Sequence, residues 1–284
     1  HKQDTYQRLN QHTPTRKNTK ATVFLSMVLR RLKKTPTDNP IVYTVPSIHD
    51  FDIVKPLSRG SFGSVYLCRH KTSKDLSSIK AIKKIDSARK NTIAHALTER
   101  RALTLIASPW IVPLYFAFQS EHHLFLVMEY MCGGDLGALV KVHRRIGCIE
   151  SVRFYAVELI IAVDQLHRAN IIHHDIKPEN ILIASDGHIK LIDLGLSVVG
   201  SRDDTNHDNV RMGTPDYMAP EIVGGMQSST AVDVWAIGCV IHELYYGQPP
   251  FHADTVERVF TNIQLGYTKM GQDPIDTLLS QLMR

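Results

Sequence analysis

The sequence predicts an α+β fold of two lobes, the first rich in strands and the second rich in helices. Short β-branched or aromatic runs dominate the chain between about residues 50 and 130, with one helical stretch among them. Apolar residues at helical spacing dominate after residue 133. A strand-rich part followed by a helix-rich part is typical of two separate cores, and a ligand-binding cleft is expected between them.

The first lobe is predicted to hold five strands and one main helix. The strand-like runs are β-branched, aromatic or alternating, and they lie at 51–57, 65–68, 79–82, 111–118 and 124–130. The helix is expected at about 90–106, between the third and fourth runs. This order predicts a sheet that the helix interrupts in sequence.

The second lobe is predicted to begin with a long amphipathic helix. Its buried stripe recurs every three or four positions, at Val152, Tyr155, Leu159, Val163 and Leu166. Two short strands at 181–183 and 189–192 flank an Asp-Gly turn. Further helices are predicted around 229–246, 254–264 and 275–283.

The composition is that of an ordinary globular protein, with 43% hydrophobic and 21% charged residues in a chain of 284. Residues 1–40 hold nine Lys or Arg and two Asp, so the net charge of this segment is +7, which exceeds the net charge of +5 of the whole chain. The basicity therefore belongs to an N-terminal arm, which is predicted to be mostly disordered with a short basic helix within 21–32. Because the remainder is slightly acidic, no nucleic-acid partner is expected.

The four cysteines stand far apart, so neither a disulfide framework nor a zinc site is predicted. An intracellular location, in the cytoplasm or the nucleus, is expected from this cysteine usage. The basic cluster at 30–34 is a candidate nuclear import signal, although short basic runs are common in proteins of all kinds. The longest apolar run, 23–29, is far shorter than the roughly 20 residues of a membrane span. No membrane span is therefore expected.

A glycine-containing segment between two predicted strands is a candidate phosphate-binding turn. Gly60 and Gly63 let backbone N–H groups approach phosphate oxygens, although such a turn is often only a turn. Lys80 lies fifteen positions beyond Val65 on the next strand, and Glu99 lies nineteen positions further, within the helix. A cation that binds phosphate needs an anion to fix it, so the two form a candidate pair. An exposed lysine and a surface glutamate are the alternative.

The loop at 172–180 gathers three chemical groups. It offers the carboxylate of Asp175, the ammonium of Lys177 two positions on and the amide of Asn180 five positions on. These groups suit a general base, a phosphate clamp and a metal ligand. The adjacent histidines at 173 and 174 raise the alternative of a transition-metal site, but no second ligand pair has a suitable spacing.

Three further motifs follow this loop. Asp193, thirteen positions past Asn180, begins the sequence Asp-Leu-Gly and is a candidate second ligand for Mg²⁺. Residues 213–221 read Gly-Thr-Pro-Asp-Tyr-Met-Ala-Pro-Glu, and residues 233–238 read Asp-Val-Trp-Ala-Ile-Gly. In this order and at these spacings, the set resembles the motifs of protein kinases over residues 50–284.

The resemblance implies the bilobal protein-kinase fold. A small β-rich N-lobe with one main helix is expected over 47–131, a larger α-rich C-lobe over 132–284, and the basic arm over 1–46. Compared with the family, the chain is expected to end before the last helices of the C-lobe and before a C-terminal tail.

The sequence resembles serine/threonine kinases at 177–179, which read Lys-Pro-Glu. Segments 47–60, 187–191 and 213–221 are similar to the AGC group, and most to its Greatwall/MAST branch, which shares Ser58 in place of the usual first glycine. The resemblance implies a transfer of the γ-phosphoryl of ATP, with Mg²⁺, to serine or threonine of protein substrates. It also implies an upstream kinase or another regulatory partner.

The resemblance assigns roles to the candidate residues. Asp175 would accept the substrate proton, Lys177 would neutralise the moving phosphoryl, and Asn180 with Asp193 would hold Mg²⁺. The activation segment would include Leu194, Gly195, Thr214 and Glu221. The gatekeeper would be Met128, and the hinge would run from Glu129 to Met131. Contacts with ATP are implied for Leu57, Ser58, Arg59, Gly60, Ser61, Phe62, Gly63, Ser64, Val65, Lys80, Glu99, Met128, Glu129, Met131, Asp135 and Leu182.

Four departures from the family pattern stand out. His174 replaces the usual Arg before the catalytic Asp, Leu194 replaces the usual Phe, and Ser78 replaces the small apolar residue that roofs the adenine. The segment 195–219 is short, whereas Greatwall kinases carry a long insert there. A pseudokinase that acts as a binding or scaffold module is therefore the alternative. A small-molecule kinase is disfavoured, because 213–221 resembles a protein-substrate shelf.

Overall fold

The computed structural model describes residues 46–60, 63–84, 91–146, 148–200 and 212–266. Their contacts divide the chain into two compact units. The first comprises the chain up to Ala96 together with Leu114–Tyr130, and the second comprises Leu97–Pro113 and the chain from Met131 on. The predicted basic arm, up to residue 45, and the predicted helix at 275–283 lie outside the described residues.

The first unit is built on one five-stranded antiparallel sheet with the order β1-β2-β3-β5-β4. The strands are β1 (Phe51–Gly60), β2 (Gly63–His70), β3 (Leu76–Lys83), β4 (Leu114–Gln119) and β5 (His123–Glu129). The buried side chains of Phe51, Ile79, Phe125 and Val127 lie at its core. All five predicted strands are present, and β1 and β2 extend further than predicted, to where Gly60 pairs with Gly63.

The predicted strand at 111–118 is wrong at its beginning. Strand β4 starts at Leu114, because Pro113 has no N–H for a sheet ladder. The residues before Pro113 belong to the second unit, where Val112 N–H donates to the carbonyl of Leu191 at 3.0 Å and Leu191 N–H donates to the carbonyl of Trp110 at 2.8 Å. The predicted helix at 90–106 is present as α1 (Asn91–Leu105).

Helices dominate the second unit. They are α2 (Leu136–His143), α3 (Ile149–Arg168), α4 (Pro220–Val223), α5 (Ala231–Tyr246) and α6 (Val256–Leu265). Two short antiparallel pairs complete it, β6 (Ile171–Ile172) with β9 (Val198–Val199) and β7 (Ile181–Ile183) with β8 (Ile189–Leu191). Within the described part of the chain, no helix is long and apolar enough to cross a membrane.

Helices α3 and α5 form the centre of the second unit. The predicted stripe on α3 is buried at Val152, Leu159, Val163 and Leu166, whereas Tyr155 is only half-buried at its edge. Helix α5 is buried on most of its circumference, as a helix inside a core must be. The two helices pack together, and they carry the partners that hold the loops described below.

Glu158 connects α3 to the β7–β8 hairpin. Its buried carboxylate accepts a hydrogen bond from His188 Nδ1 at 2.5 Å and another from the Ile189 N–H at 2.9 Å. The ring of His188 lies against Trp110 and Phe154. The hydrogen bond to Glu158 and the negative charge of that carboxylate raise the pKa of His188 above its usual value.

This bond predicts a pH dependence of stability. Because the folded-state pKa of His188 is raised, its stabilisation is complete below the unfolded value of about 6.5 and is lost as the pH rises through the folded value. We expect the melting temperature of His188→Gln to fall less than that of the wild type between pH 6 and pH 9. His143→Gln, at the exposed end of α2, is the control. Parallel wild-type and His188→Gln curves would contradict this role.

Candidate active site

The carboxylate of Asp175 lies at the centre of a hydrogen-bonded group in the second unit. Lys177 Nζ donates to Asp175 Oδ2 at 2.7 Å, and Thr214 Oγ1 donates to Asp175 Oδ1 at 2.8 Å. Lys177 Nζ also donates to Thr214 Oγ1 at 2.8 Å. The three side chains therefore form a closed triangle, which links the loop at 172–180 to the segment that precedes α4.

Asn180 joins this group from the other side. Its Nδ2 donates to the backbone carbonyl of Asp175 at 2.8 Å and to the Asp175 carboxylate at 3.1 Å. These two bonds fix the orientation of the side-chain amide, because the two oxygens that Nδ2 contacts can only accept hydrogen bonds from it. The amide oxygen therefore remains available as a ligand for a hard cation.

The second candidate metal ligand, Asp193, is positioned through its neighbour Ile192. Ile192 N–H donates to the Asn180 carbonyl at 3.0 Å, and the Ile192 carbonyl accepts from His173 Nε2 at 3.1 Å. Asp193 itself has left-handed backbone angles, with φ 61° and ψ 65°. Asn180 and Asp193 are thus brought to one end of the β7–β8 hairpin, and their amide and carboxylate oxygens form a donor set that suits Mg²⁺.

The loop at 172–180, the predicted catalytic loop, is anchored by a residue whose role the sequence reasoning missed. Asp233 on α5 is 1% exposed and accepts three hydrogen bonds: from His167 Nε2 at 2.8 Å, His173 N–H at 2.8 Å and His174 N–H at 2.9 Å. Burial alone would raise the pKa of Asp233, but these bonds hold it below its usual value. The D-x-W-x-x-G motif was the sequence signal for this anchor.

The segment after Asp193 is tied to the catalytic loop through His174. The backbone of His174 is left-handed, with φ 66°, and its Nδ1 donates to the Leu196 carbonyl at 3.3 Å. Gly213 passes close by with φ 109°, and a Cβ there would lie 2.6 Å from the His174 carbonyl oxygen. Only glycine fits this crossing. The unusual Leu194 is fully buried.

Thr214 offers a direct test of the triangle around Asp175. Thr214→Val keeps the shape but leaves Lys177 and Asp175 without the bridging hydroxyl, so we expect phosphoryl transfer to fall roughly tenfold to hundredfold, as for loss of a positioning contact. Thr214→Ser keeps the hydroxyl and should retain most activity. Steady-state rates at saturating ATP measure the effect. A fully active Thr214→Val would show that the bridge does not position Asp175.

The predicted phosphate-binding turn lies in the first unit. Leu57, Ser58, Arg59 and Gly60 end β1, and Gly63, Ser64 and Val65 begin β2, whereas Ser61 and Phe62 lie outside the described residues. Gly63 has φ 141°, and a Cβ there would lie 2.5 Å from the Ala81 carbonyl oxygen. Val65 is directly opposite Lys80 on β3, whose side chain is 8% exposed. The register therefore places Lys80 beside the turn.

The remaining candidate residues are distributed over both units. Met128 and Glu129 end β5, and buried Glu99 lies in α1. Met131, Asp135 and Leu182 lie in the second unit, where Asp135 forms an antiparallel bridge with Leu182 and its Oδ1 caps α2 by accepting from Ala138 N–H at 2.7 Å. Gly195 lies in a short 3-10 helix and Glu221 lies in α4. The roles of these residues stay predictions.

Glu179, in the loop at 172–180, belongs to an acidic group with Asp216 and Glu243, in which the first two carboxylates repel the charge of the third. Lys141 Nζ lies 3.3 Å from Glu179 Oε1. The Tyr217 hydroxyl donates to the carboxylate of Glu243. Burial raises the pKa of Glu243, and repulsion from Glu179 and Asp216 adds to the effect. Glu179 belongs to the Lys-Pro-Glu sequence at 177–179, whereas Glu243, which lies in a helix with no local signal of its own, was missed by the sequence reasoning.

Comparison with known proteins gives a family. The family model described as protein kinase domain matches residues 51–280. The chain is 39% identical over 267 residues to the probable serine/threonine protein kinase IRE of Arabidopsis thaliana, an alignment that covers 83% of this chain and 22% of that protein. It is 38% identical over 229 residues to the serine/threonine-protein kinase YPK1 of Saccharomyces cerevisiae, covering 81% of this chain and 32% of that protein.

This chain therefore spans only about a fifth to a third of the length of these relatives. The match of the family model nevertheless extends over most of the chain, from the first strand to beyond α6. The protein-kinase motifs from Gly60 to Gly238 lie inside the matched range, and the relatives are serine/threonine kinases by name. The chain belongs to the protein kinase family, in its serine/threonine class.

Proposed function

We propose that this chain transfers the γ-phosphoryl group of ATP to serine or threonine hydroxyls of protein substrates. The observation that carries the proposal is the position of Asp175, whose carboxylate is held by Lys177, Thr214 and Asn180 at 2.7 to 3.1 Å. Phosphoryl transfer needs mainly positioning and charge stabilisation, which this arrangement supplies.

Each residue has a distinct task. Asp175 orients the substrate hydroxyl and accepts its proton, while Lys177, 2.7 Å away, places a positive charge where the phosphoryl group passes. Lys80 and the turn at 60–64 bind the phosphates. Asn180 and Asp193 would hold Mg²⁺, which would neutralise charge on the phosphate oxygens. Both are oxygen ligands that fit this ion.

The substrate class we propose carries basic residues on the N-terminal side of the phosphorylated serine or threonine. Support comes from Glu179 and Asp135, and from the acidic group that Glu179 forms with Asp216 and Glu243, since guanidinium groups bind carboxylates by charge-assisted bonds. Lys141 occupies one oxygen of Glu179 at 3.3 Å, so a substrate arginine has to compete with it. Membership of the AGC group, and of a Greatwall/MAST-like branch, rests on the segments at 47–60, 187–191 and 213–221.

A radiolabelled-ATP assay tests this function. The chain is incubated with Mg²⁺ and a serine peptide that bears upstream arginines, beside matched peptides with upstream acidic residues or with tyrosine as acceptor. We expect phosphorylation of the arginine-bearing serine peptide, and loss of it in Asp175→Asn. Asp164→Asn, on the exposed side of α3, is the matched control. ATP binding without any transfer would support a pseudokinase instead.

Control by phosphorylation is expected to be weak in this protein. Of the hydroxyls that could be modified after Asp193, Ser197 is buried and donates to the Leu194 carbonyl at 2.8 Å, and Thr214 is held in the Asp175 triangle. Ser201 and Thr205 lie outside the described residues, as does Arg211, a cation that is the alternative to His174 as the partner of a phosphate. His174 already donates a hydrogen bond to the backbone of this segment, at the Leu196 carbonyl, and this bond does not depend on a phosphate.

We therefore expect phosphatase treatment to cost the wild type little activity, because an imidazole is mostly uncharged at neutral pH and binds a phosphate weakly. The loss should be somewhat larger at pH 6 than at pH 8, because an imidazole carries more positive charge at the lower pH. His174→Arg introduces a guanidinium that can bind a phosphate bidentately, so its activity should depend much more on phosphorylation. Activity of treated and untreated samples at both pH values measures this. A large, pH-independent loss in the wild type would contradict it.

A further inference from the structure

Ser78 is a departure from the family pattern with a specific structural partner. Its Oγ donates to the backbone carbonyl of Glu129 at 3.0 Å and lies 3.4 Å from that of Met128. All three residues belong to the first unit, where Ser78 on β3 pairs directly with Met128 on β5. The side chain of Ser78 is thus bonded to the backbone at the point where β5 leaves the sheet.

The position of Ser78 places it along the nucleotide. Residues two apart on a strand share one face, about 7 Å from each other, so Ser78 lies on the same face of β3 as Lys80. In the proposed function, on which this inference rests, Lys80 binds phosphate, and the resemblance to protein kinases implies that Glu129 to Met131 form the hinge. The base of a nucleotide held in this way lies further along the same face of β3, towards Ser78.

We propose that Ser78 determines nucleotide affinity and base selectivity by competing with the adenine 6-amino group for the carbonyl of Glu129. An adenine edge presents one exocyclic amine, which needs a backbone acceptor. The Glu129 carbonyl oxygen already accepts a hydrogen bond from Ser78 before any nucleotide binds, so one of its two lone pairs is engaged. An adenine amine then shares this acceptor with Ser78, so its hydrogen bond contributes less to the free energy of nucleotide binding.

The neighbouring Ser77 provides a matched control. It is as buried as Ser78, at 5% against 9% exposed, but successive side chains on a strand point to opposite faces. Its backbone is opposite Glu129, so it is equally close in the register of the sheet. A change at Ser77 therefore tests whether loss of any buried hydroxyl from β3 has the effect expected for Ser78.

The experiment compares nucleotide binding to the wild type, Ser78→Ala and Ser77→Ala, by calorimetry in excess Mg²⁺. Two probes are used, ATP and purine riboside triphosphate, which lacks the 6-amino group. We expect Ser78→Ala to bind ATP roughly threefold to tenfold more tightly, the value of one net hydrogen bond, and to bind the second probe as the wild type does. The KM for ATP should fall by the same factor with kcat unchanged, and Ser77→Ala should change neither affinity.

Thermal unfolding provides a second readout that does not depend on catalysis. Removing Ser78 Oγ leaves a part-buried carbonyl without this donor, so free Ser78→Ala should melt below the wild type. ATP restores a donor, so the ATP-induced rise in melting temperature should be larger in Ser78→Ala than in the wild type. Should Ser78→Ala not fold, Ser78→Cys, whose thiol is a weaker donor, is expected to show the same signs with smaller size.

Two results would overturn the proposal. One is an unchanged or weaker affinity of Ser78→Ala for ATP, and the other is an equal gain for both nucleotides, which would point to the shape of the roof instead of the carbonyl. Failure of the proposed kinase function looks different. In that case ATP binds with the expected dependence on Ser78, but no peptide is phosphorylated.

Discussion

Lys80→Met is expected to abolish phosphoryl transfer while the sheet of the first unit still folds. Lys80 is a buried cation on β3, directly opposite Val65 at the start of β2, and the methionine side chain fills nearly the same volume without the charge. Loss of one charge that stabilises the transferring phosphates typically costs several kcal/mol of activation free energy, or roughly a thousandfold in rate. Single-turnover rates with the arginine-bearing peptide measure this loss.

Lys83→Met is the matched control, because it changes the same residue type on the same strand. Lys83 is exposed and lies at the end of β3, opposite His123. We expect this variant to keep nearly full activity and stability. An inactive Lys83→Met together with an active Lys80→Met would show that the phosphate-binding lysine had been assigned to the wrong position of β3.

Asp233→Ala is expected to have the largest effect on stability. It removes the acceptor of three hydrogen bonds at a site that is 1% exposed, and it leaves the buried His173 N–H and the part-buried His174 N–H without this acceptor. The loss of a buried, hydrogen-bonded charge typically reduces the free energy of unfolding by about 3 to 5 kcal/mol. The activity of the variant should fall by more than the loss of folded protein explains, because the backbone of His173 and His174, just before Asp175, loses its hydrogen bonds to Asp233.

Denaturant unfolding at several pH values measures the effect of Asp233. Because the folded-state pKa of Asp233 is lowered, its stabilisation is present above the unfolded value of about 3.9 and is lost as the pH falls through the folded value. The wild type should therefore lose more stability than Asp233→Ala on acidification below about pH 4. Asp164→Ala, a 51% exposed carboxylate paired with Arg168, should change stability by less than about 1 kcal/mol. Equal effects of the two variants would contradict the anchor.

The sequence predicted those parts of the fold that local patterns specify. The strands around 181–183 and 189–192 were predicted nearly to the residue, because β-branched runs flank an Asp-Gly turn. Residues 111–112 were assigned to β4 in error, because their β-branched side chains suit any strand and their real partner, Leu191, is about 80 residues away. The β-propensity of a residue is a local property, whereas the strand with which the residue pairs depends on the fold of the whole chain.

The candidate site shows the same division. Motif spacing identified Asp175, Lys177, Asn180 and Asp193, and the structure places the side chains of Lys177 and Asn180 within hydrogen-bonding distance of the Asp175 carboxylate. The bond from Ser78 to the Glu129 carbonyl was not predictable, because it depends on the register between β3 and β5. Spacing along the chain finds the reacting groups but not the side chains that position them.

The anchor formed by Asp233 also has a consequence for the order of folding. The carboxylate lies 60 residues after His173 and 66 residues after His167, so its three bonds close long loops. Contacts of such sequence separation form late, because the entropy of loop closure has to be overcome first. During synthesis the loop that carries Asp175 is complete well before α5 exists. The catalytic geometry therefore cannot be set until the chain has been made beyond residue 233 and α5 has packed against α3, so the ability to bind a substrate hydroxyl should appear in one late step of folding.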